Sequence, residues 1–204
     1  SFLLQDLITW KDYLIQVAAY NNMGVGVFSE GIRIKTKESA PEEPPSDIYA
    51  TVLNSTAVFI VWKPPSPQQI NGINQGYKIQ AWQQEKVDNT WRDVLVRTIK
   101  VAPNLINPLE EQNCTMSDLK PFTSYNFTVL CFTNPGDGVR SQPISIKTEQ
   151  DIPGEVSDLQ FDDVSDRELT IKWNEQKEPN GIVLGYEVRY KIKETSDIKQ
   201  VNLT

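Results

Sequence analysis

The chain says nearly the same thing twice. "INGINQGYKIQAW" (Ile70–Trp82) returns as "PNGIVLGYEVRY" (Pro179–Tyr190). The second copy keeps the Asn-Gly turn, the Gly-Tyr pair and the alternating tail. The register extends much further. Leu7, Tyr13, Gly24, Ser29, Thr36 and Pro41 recur as Leu119, Tyr125, Gly136, Ser141, Thr148 and Pro153, each 112 residues on. Trp62 recurs as Trp173 after 111 residues and Tyr77 as Tyr186 after 109. A period of about 110 is the size of a domain, longer than the ~20–50 residues of a solenoid unit.

Within each unit the hydrophobic period is two. "TAVFIVW" (Thr56–Trp62), "YKIQAW" (Tyr77–Trp82), "YNFTVLCF" (Tyr125–Phe132) and "PISIKT" (Pro143–Thr148) are short runs rich in β-branched and aromatic residues. "KPPSPQ", "INGINQG" and "TNPGDG" punctuate them with turn residues. Short strands at such spacing predict an all-β, antiparallel sandwich, and no stretch sustains a helical period. Strand parity places Tyr125, Phe127, Val129 and Cys131 on the core face, with Tyr13, Ile15, Val17 and Ala19 equivalent in the preceding unit. Trp62 and Trp173 are the large anchors, faced by Tyr77 and Tyr186. The Leu-x5-Tyr spacing before Tyr13 and Tyr125 fits a corner in which a buried ring sends its hydroxyl to nearby backbone.

As a set, "VWKPP", "NGINQGYKI" and "LKPFTSYNFTVLCFTNPGDGVRS" resemble the fibronectin type III domain, an immunoglobulin-like β-sandwich. The repeats most resemble those of the Sidekick cell-adhesion family of the immunoglobulin superfamily, through Ile70–Trp82, "VLCFTNPGDGVRS", "IPGEVSDLQF" and "EPNGIVLGY". Three tandem portions are expected. Residues 1–37 are the C-terminal part of a type III domain (the end of strand E, then F and G), 41–148 a complete domain, and 153–204 an N-terminal part with strands A, B, C and C′. "APNLINPLEEQ" (Ala102–Gln112) reads as an irregular insertion before strand E. The flanking parts are either cut from their domains or completed by a second copy through swapping. The linkers Thr36–Asp47 and Thr148–Asp158 are acidic and carry proline, as stiff connections do.

Composition excludes several functions. The formal charge is −7, whereas nucleic-acid and anionic-membrane binders are basic. There is no histidine, the commonest general base and metal ligand. Two cysteines cannot build a cysteine zinc site. No phosphate loop or nucleophile–base pattern occurs, and the acidic pairs Glu110/Glu111 and Asp162/Asp163 read as solvated surface. The expectation is no enzyme, no metal, no cofactor and no small-molecule substrate. No apolar run approaches the ~20 residues of a membrane span, so any anchor or leader lies outside these residues.

Four Asn-x-Ser/Thr sequons make Asn54, Asn113, Asn126 and Asn202 glycosylation candidates. Cys114 and Cys131 are a candidate disulfide, against the alternative of two buried thiols. Trp82, Leu130 and Phe132 fall on the outward face of neighbouring strands. They form a candidate contact patch, unless loops, the strand bearing Trp91 or a glycan on Asn126 cover them. In "NPGDGVR" (Asn134–Arg140) proline precedes Gly136-Asp137, so no Arg-Gly-Asp motif forms, and the glycines are expected at positive φ.

The resemblance implies an extracellular stalk in a single-pass plasma-membrane glycoprotein. It would act as a spacer, with possible lateral contacts, in homophilic adhesion at synapses or cell junctions. The partner would be the same protein on another cell, bound through domains outside these residues. Two alternatives are the ectodomain of a receptor tyrosine phosphatase and an intracellular muscle-type scaffold. A cytokine receptor is excluded by the lack of a Trp-Ser-x-Trp-Ser motif.

Overall fold

The computed structural model describes residues 1–204, apart from the Val87 side chain. It is all-β, as the period-two runs predict, with no helix among the described residues. Two compact units are present: Ser1–Val52 with Val58–Ser117 and Ser124–Ile146, and Leu53–Ala57 with Asp118–Thr123 and Lys147–Thr204.

The first unit begins with β1 (Asp12–Ile15), β2 (Tyr20–Asn21), β3 (Gly24–Val25) and β4 (Ile32–Lys35). β1 pairs with β4 and β2 with β3, all antiparallel. Tyr13 makes the expected corner, its hydroxyl accepting the Ile8 amide at 2.7 Å. Residues 1–11 form no strand, where the end of strand E was expected. An isolated edge has no ladder to join there. Val17 and Ala19, expected in the core, are exposed because no second sheet covers them.

β5 (Ser46–Asn54), β6 (Ala57–Lys63), β7 (Gly76–Val87), β8 (Thr90–Val101), β9 (Gln112–Met116), β10 (Ser124–Phe132) and β11 (Ile144–Lys147) build two sheets, ordered β5-β6-β9 and β11-β10-β7-β8. Between β8 and β9, residues 102–111 are irregular. The sheets enclose the main core: Val58, Ile60, Trp62 and Met116 from one, and Tyr77, Ile79, Ala81, Phe127, Val129 and Cys131 from the other, all at 0% exposure. Trp62 and Tyr77 meet between the sheets, their centroids 5.4 Å apart. Tyr125 is also buried and lies 6.0 Å from Phe127. Burial of such aromatic and branched side chains stabilises by about 1.5–3 kcal/mol each.

In the second unit, β12 (Ser157–Asp162) pairs with β13 (Thr170–Asn174), and β14 (Tyr186–Tyr190) with β15 (Lys199–Leu203). Trp173 and Tyr186 repeat the aromatic contact at 5.3 Å. They are half-buried rather than fully enclosed, as two-stranded sheets dictate.

The repeat is written into the backbone as well. Non-glycine residues at positive φ recur in register: Asp6 with Asp118, Trp10 with Phe122, Asp47 with Asp158 and Asn71 with Asn180. Trp10 and Phe122 are bulky for that region, and a lysine stands over each ring: Lys35 Nζ at 3.7 Å and Lys147 Nζ at 3.3 Å.

Candidate functional surfaces

The repeated Asn-Gly turn is a docking point for the linker that precedes it. Asn71 takes the left-handed backbone at φ 58°, which asparagine tolerates, and its carbonyl accepts the Ser39 amide at 2.9 Å. The Gln69 carbonyl accepts the Glu42 amide at 3.0 Å. In the second unit the Asn180 carbonyl accepts Asp151 N and the Glu178 carbonyl accepts Gly154 N, both at 2.8 Å. Glycine follows asparagine because the linker passes so close. A Cβ on Gly72 would stand 2.8 Å from Glu38 Oε2, and one on Gly181 2.6 Å from Gln150 Oε1. Gln150 Oε1 also accepts the Ile182 amide at 2.8 Å.

The other end of each linker is tied by threonine. Thr36 Oγ1 accepts the Lys11 amide at 2.9 Å and donates to the Ile8 carbonyl at 2.7 Å. Thr148 Oγ1 accepts the Thr123 amide at 2.9 Å and donates to the Lys120 carbonyl at 2.7 Å. The two linkers are therefore held at both ends by matching bonds.

Asn74 organises the end of the Asn-Gly loop. Its Oδ1 accepts the Gly76 amide at 2.8 Å and the Cys131 thiol at 3.3 Å, while Nδ2 donates to the Tyr77 hydroxyl at 2.9 Å. Cys114 and Cys131 are free thiols and form no bridge. They sit on β9 and β10, which belong to different sheets, and Cys131 is committed to Asn74. Burial pushes each thiol up to about 12. Tyr77 is also raised to about 12, chiefly by burial and secondly by its Cys131 neighbour.

The outward face of the four-stranded sheet is a ladder of cations and aromatics, and the candidate patch of Trp82, Leu130 and Phe132 lies in it, more covered than exposed. Leu130 does point away from the core, yet it is only 1% exposed. Trp82 and Phe132 are half-buried. The Arg140 guanidinium lies 5.2 Å from the Trp82 ring centroid and its Nε donates to Gln80 Oε1 at 2.8 Å. Trp82 Nε1 donates to Thr128 Oγ1 at 3.0 Å. Lys78 and Lys100 stand over Phe132 at 5.3 and 5.9 Å, and Lys78 Nζ reaches Asp137 at 2.6 Å. Strand parity shows which way a side chain leaves its strand, but not that long cationic stems fold back over it. The ladder residues Arg140, Gln80 and Lys100 carried no sequence signal, since Arg140 lies in the loop between β10 and β11, where strand parity assigns no face.

Neither loop glycine of Asn134–Arg140 lies at positive φ, contrary to expectation; among the described residues the glycines that do are Gly24 and Gly76. Gly138 is required by proximity instead, since a Cβ there would stand 2.6 Å from Pro41 Cβ.

The sequon asparagines lie on different surfaces. Asn54, Asn113 and Asn202 are exposed, and Asn54 Oδ1 closes an Asx turn onto the Thr56 amide at 2.8 Å. Asn126 is half-buried on β10, opposite Trp82 on β7, and its Oδ1 accepts the Ser145 hydroxyl at 2.6 Å. Among the described residues no group of three or more His, Cys, Asp or Glu side chains is placed to hold a metal.

Two antiparallel sheets closed over a Trp62–Tyr77 core, with a tyrosine corner and a repeat of about 110 residues, define a tandem β-sandwich module. The fibronectin type III family model matches residues 43–147, and the chain belongs to that family. Its relatives include the Drosophila melanogaster protein sidekick, 55% identical over 205 residues and covering 100% of this chain and 9% of the relative. Mouse sidekick-2 is 42% identical over 190 residues, covering 93% of this chain and 8% of the relative. The chain thus spans less than a tenth of these relatives. Among solved structures, the chicken CNTN1 FN1–FN3 domains are 28% identical, covering 98% of this chain and 64% of that one, at a TM-score of 0.44.

Proposed function

We propose that the chain is part of the extracellular region of a cell-surface adhesion protein and works as a non-catalytic spacer. The observation that carries this reading is the matching attachment of both linkers, Thr36 and Thr148 at one end and Asn71 and Asn180 at the other. A spacer must transmit position, and a linker bonded at both ends does so better than a free tether. The similarity to sidekick proteins supports an adhesion role at the plasma membrane. Homophilic recognition between cells, at synapses or junctions, would then fall to parts of the protein beyond these residues, as would a single membrane anchor.

The test uses the full-length protein on the surface of cells that do not otherwise aggregate. A membrane-impermeant antibody against a tag placed in these repeats should stain intact cells. Replacing both linkers by Gly/Ser segments of equal length should reduce aggregation while leaving surface amount unchanged. Staining only after permeabilisation would overturn the extracellular reading, and undiminished aggregation would overturn the spacer role.

A further inference from the structure

We propose that Asn126 carries an N-linked glycan whose first N-acetylglucosamine seats against Trp82, making the sugar part of the sheet's outer surface. The proposal rests on the extracellular reading above and goes beyond it by selecting one sequon and its receiving surface.

Three observations carry it. First, Asn126 stands opposite Trp82 in the β10–β7 ladder, at the bulge where β7 slips against β8 between Ala81 and Trp82. Cross-strand neighbours sit within about 4.5–5.5 Å at Cβ, so a sugar on Asn126 starts within reach of the indole. Second, Asn126 commits its Oδ1 to Ser145 at 2.6 Å, while Nδ2, the atom that would carry the sugar, makes no hydrogen bond among the described residues. In the folded chain the amide is thereby held in one orientation, which fixes the direction in which a sugar already on Nδ2 leaves the strand. Third, a cavity of about 210 Å³ opens beside it, lined by Trp82, Asp93, Asn126, Thr128 and Pro143. Arg140 stands over the Trp82 ring yet does not line this cavity, so the indole still offers it apolar surface.

That lining suits an N-acetyl sugar. The Trp82 ring and Pro143 provide apolar surface for the C–H side of the pyranose and for its acetyl methyl. The Asp93 carboxylate is an acceptor for a hydroxyl or the acetamido N–H. Asn54, Asn113 and Asn202 are exposed, whereas Asn126 is half-buried beside an aromatic ring. Attachment precedes folding: Asn126 Nδ2 attacks the anomeric carbon of a lipid-pyrophosphate-linked oligosaccharide. The new N–C bond replaces the C–O bond to pyrophosphate, the lipid pyrophosphate leaves, and the amide gives up one proton.

The test secretes the chain from animal cells and maps occupancy sequon by sequon. Asn126 should be occupied. In a background of N54Q, N113Q and N202Q, three forms are compared: the full glycan, the glycan trimmed to one N-acetylglucosamine, and N126Q. The first two should unfold at the same temperature and the third a few degrees lower. Nuclear Overhauser contacts between the first sugar and the Trp82 indole give a readout that needs no variant at Trp82. Occupied Asn54 or Asn113 with an empty Asn126 would overturn the inference and leave the extracellular reading standing. No occupied sequon at all would overturn both. Equal unfolding temperatures in all three forms, without sugar–indole contacts, would overturn the receiving surface alone.

Discussion

The carbonyl of Asn71 accepts the amide of Ser39 at 2.9 Å, tying a linker to the turn of the repeat that follows it. Asn180 and Asp151 repeat that bond at 2.8 Å. The doubled Asn-Gly is therefore a structural corner with a second duty. It turns the chain into β7 or β14, and it holds the incoming linker.

Gly72→Val probes that second duty. The added Cβ meets Glu38 Oε2 at 2.8 Å and Glu38 Cβ at 3.2 Å, so the linker must shift. Overpacking costs about 1–3 kcal/mol in a rigid core, and a flexible carboxylate arm should place this change at or below the lower end. Amide hydrogen exchange should quicken at Ser39 and Glu42 while the β10 amides stay protected. Equal exchange in both proteins would refute the docking role.

Asn74→Ala removes partners from three groups together: the Gly76 amide, the Tyr77 hydroxyl and the Cys131 thiol. Leaving buried polar groups unsatisfied costs about 1–3 kcal/mol each at most. Denaturant unfolding should show a loss of roughly 2 kcal/mol, more than a surface asparagine is worth. A change within error would mean that water satisfies this cluster.

Alkaline pH should weaken the fold. Tyr77 rises from 10.0 to about 12, and Cys114 and Cys131 each rise from 9.0 to about 12. Between the unfolded and folded values the native state holds protons that the unfolded chain has lost. Stability from these groups is thus complete below about pH 9 and declines as pH rises towards 12. Both thiols should resist alkylation at pH 8 in the native protein and react once it is denatured. Rapid native labelling of Cys131 would contradict its burial.

The Trp82–Arg140 pair should contribute about 0.5–2 kcal/mol of coupling, the range for cation–π contacts from exposed to desolvated. A double-mutant cycle with Arg140→Met and Trp82→Leu measures it directly. Zero coupling would reduce the ladder to adjacent but independent side chains.

Much of this was legible in the residues. Period-two runs marked β6, β7, β10 and β11, and parity put Tyr125, Phe127, Val129 and Cys131 inside. Periodicity reports direction, however, and not what lies across from a side chain. Val17 and Ala19 point correctly and remain exposed for want of a facing sheet, while Leu130 points outward and is nonetheless covered. The glycines of Asn134–Arg140 were expected at positive φ, but Gly138, like Gly72 and Gly181 in the two Asn-Gly turns, answers to neighbouring atoms 2.6–2.8 Å from where a Cβ would be. Such neighbours come from distant sequence and leave no local mark. The ties at Asn71 and Asn180 were equally silent, because backbone carbonyls carry no residue signature, whereas the threonine ties left a trace in the recurrence of Thr36 as Thr148.

The spacer reading is tested most directly by the distance between nitroxide labels at Arg33 and Thr115, both exposed and on either side of the first linker. A linker tied at Thr36 and at Asn71 predicts one narrow distance distribution, which Gly72→Val broadens. A distribution already broad in the unaltered chain would contradict the account.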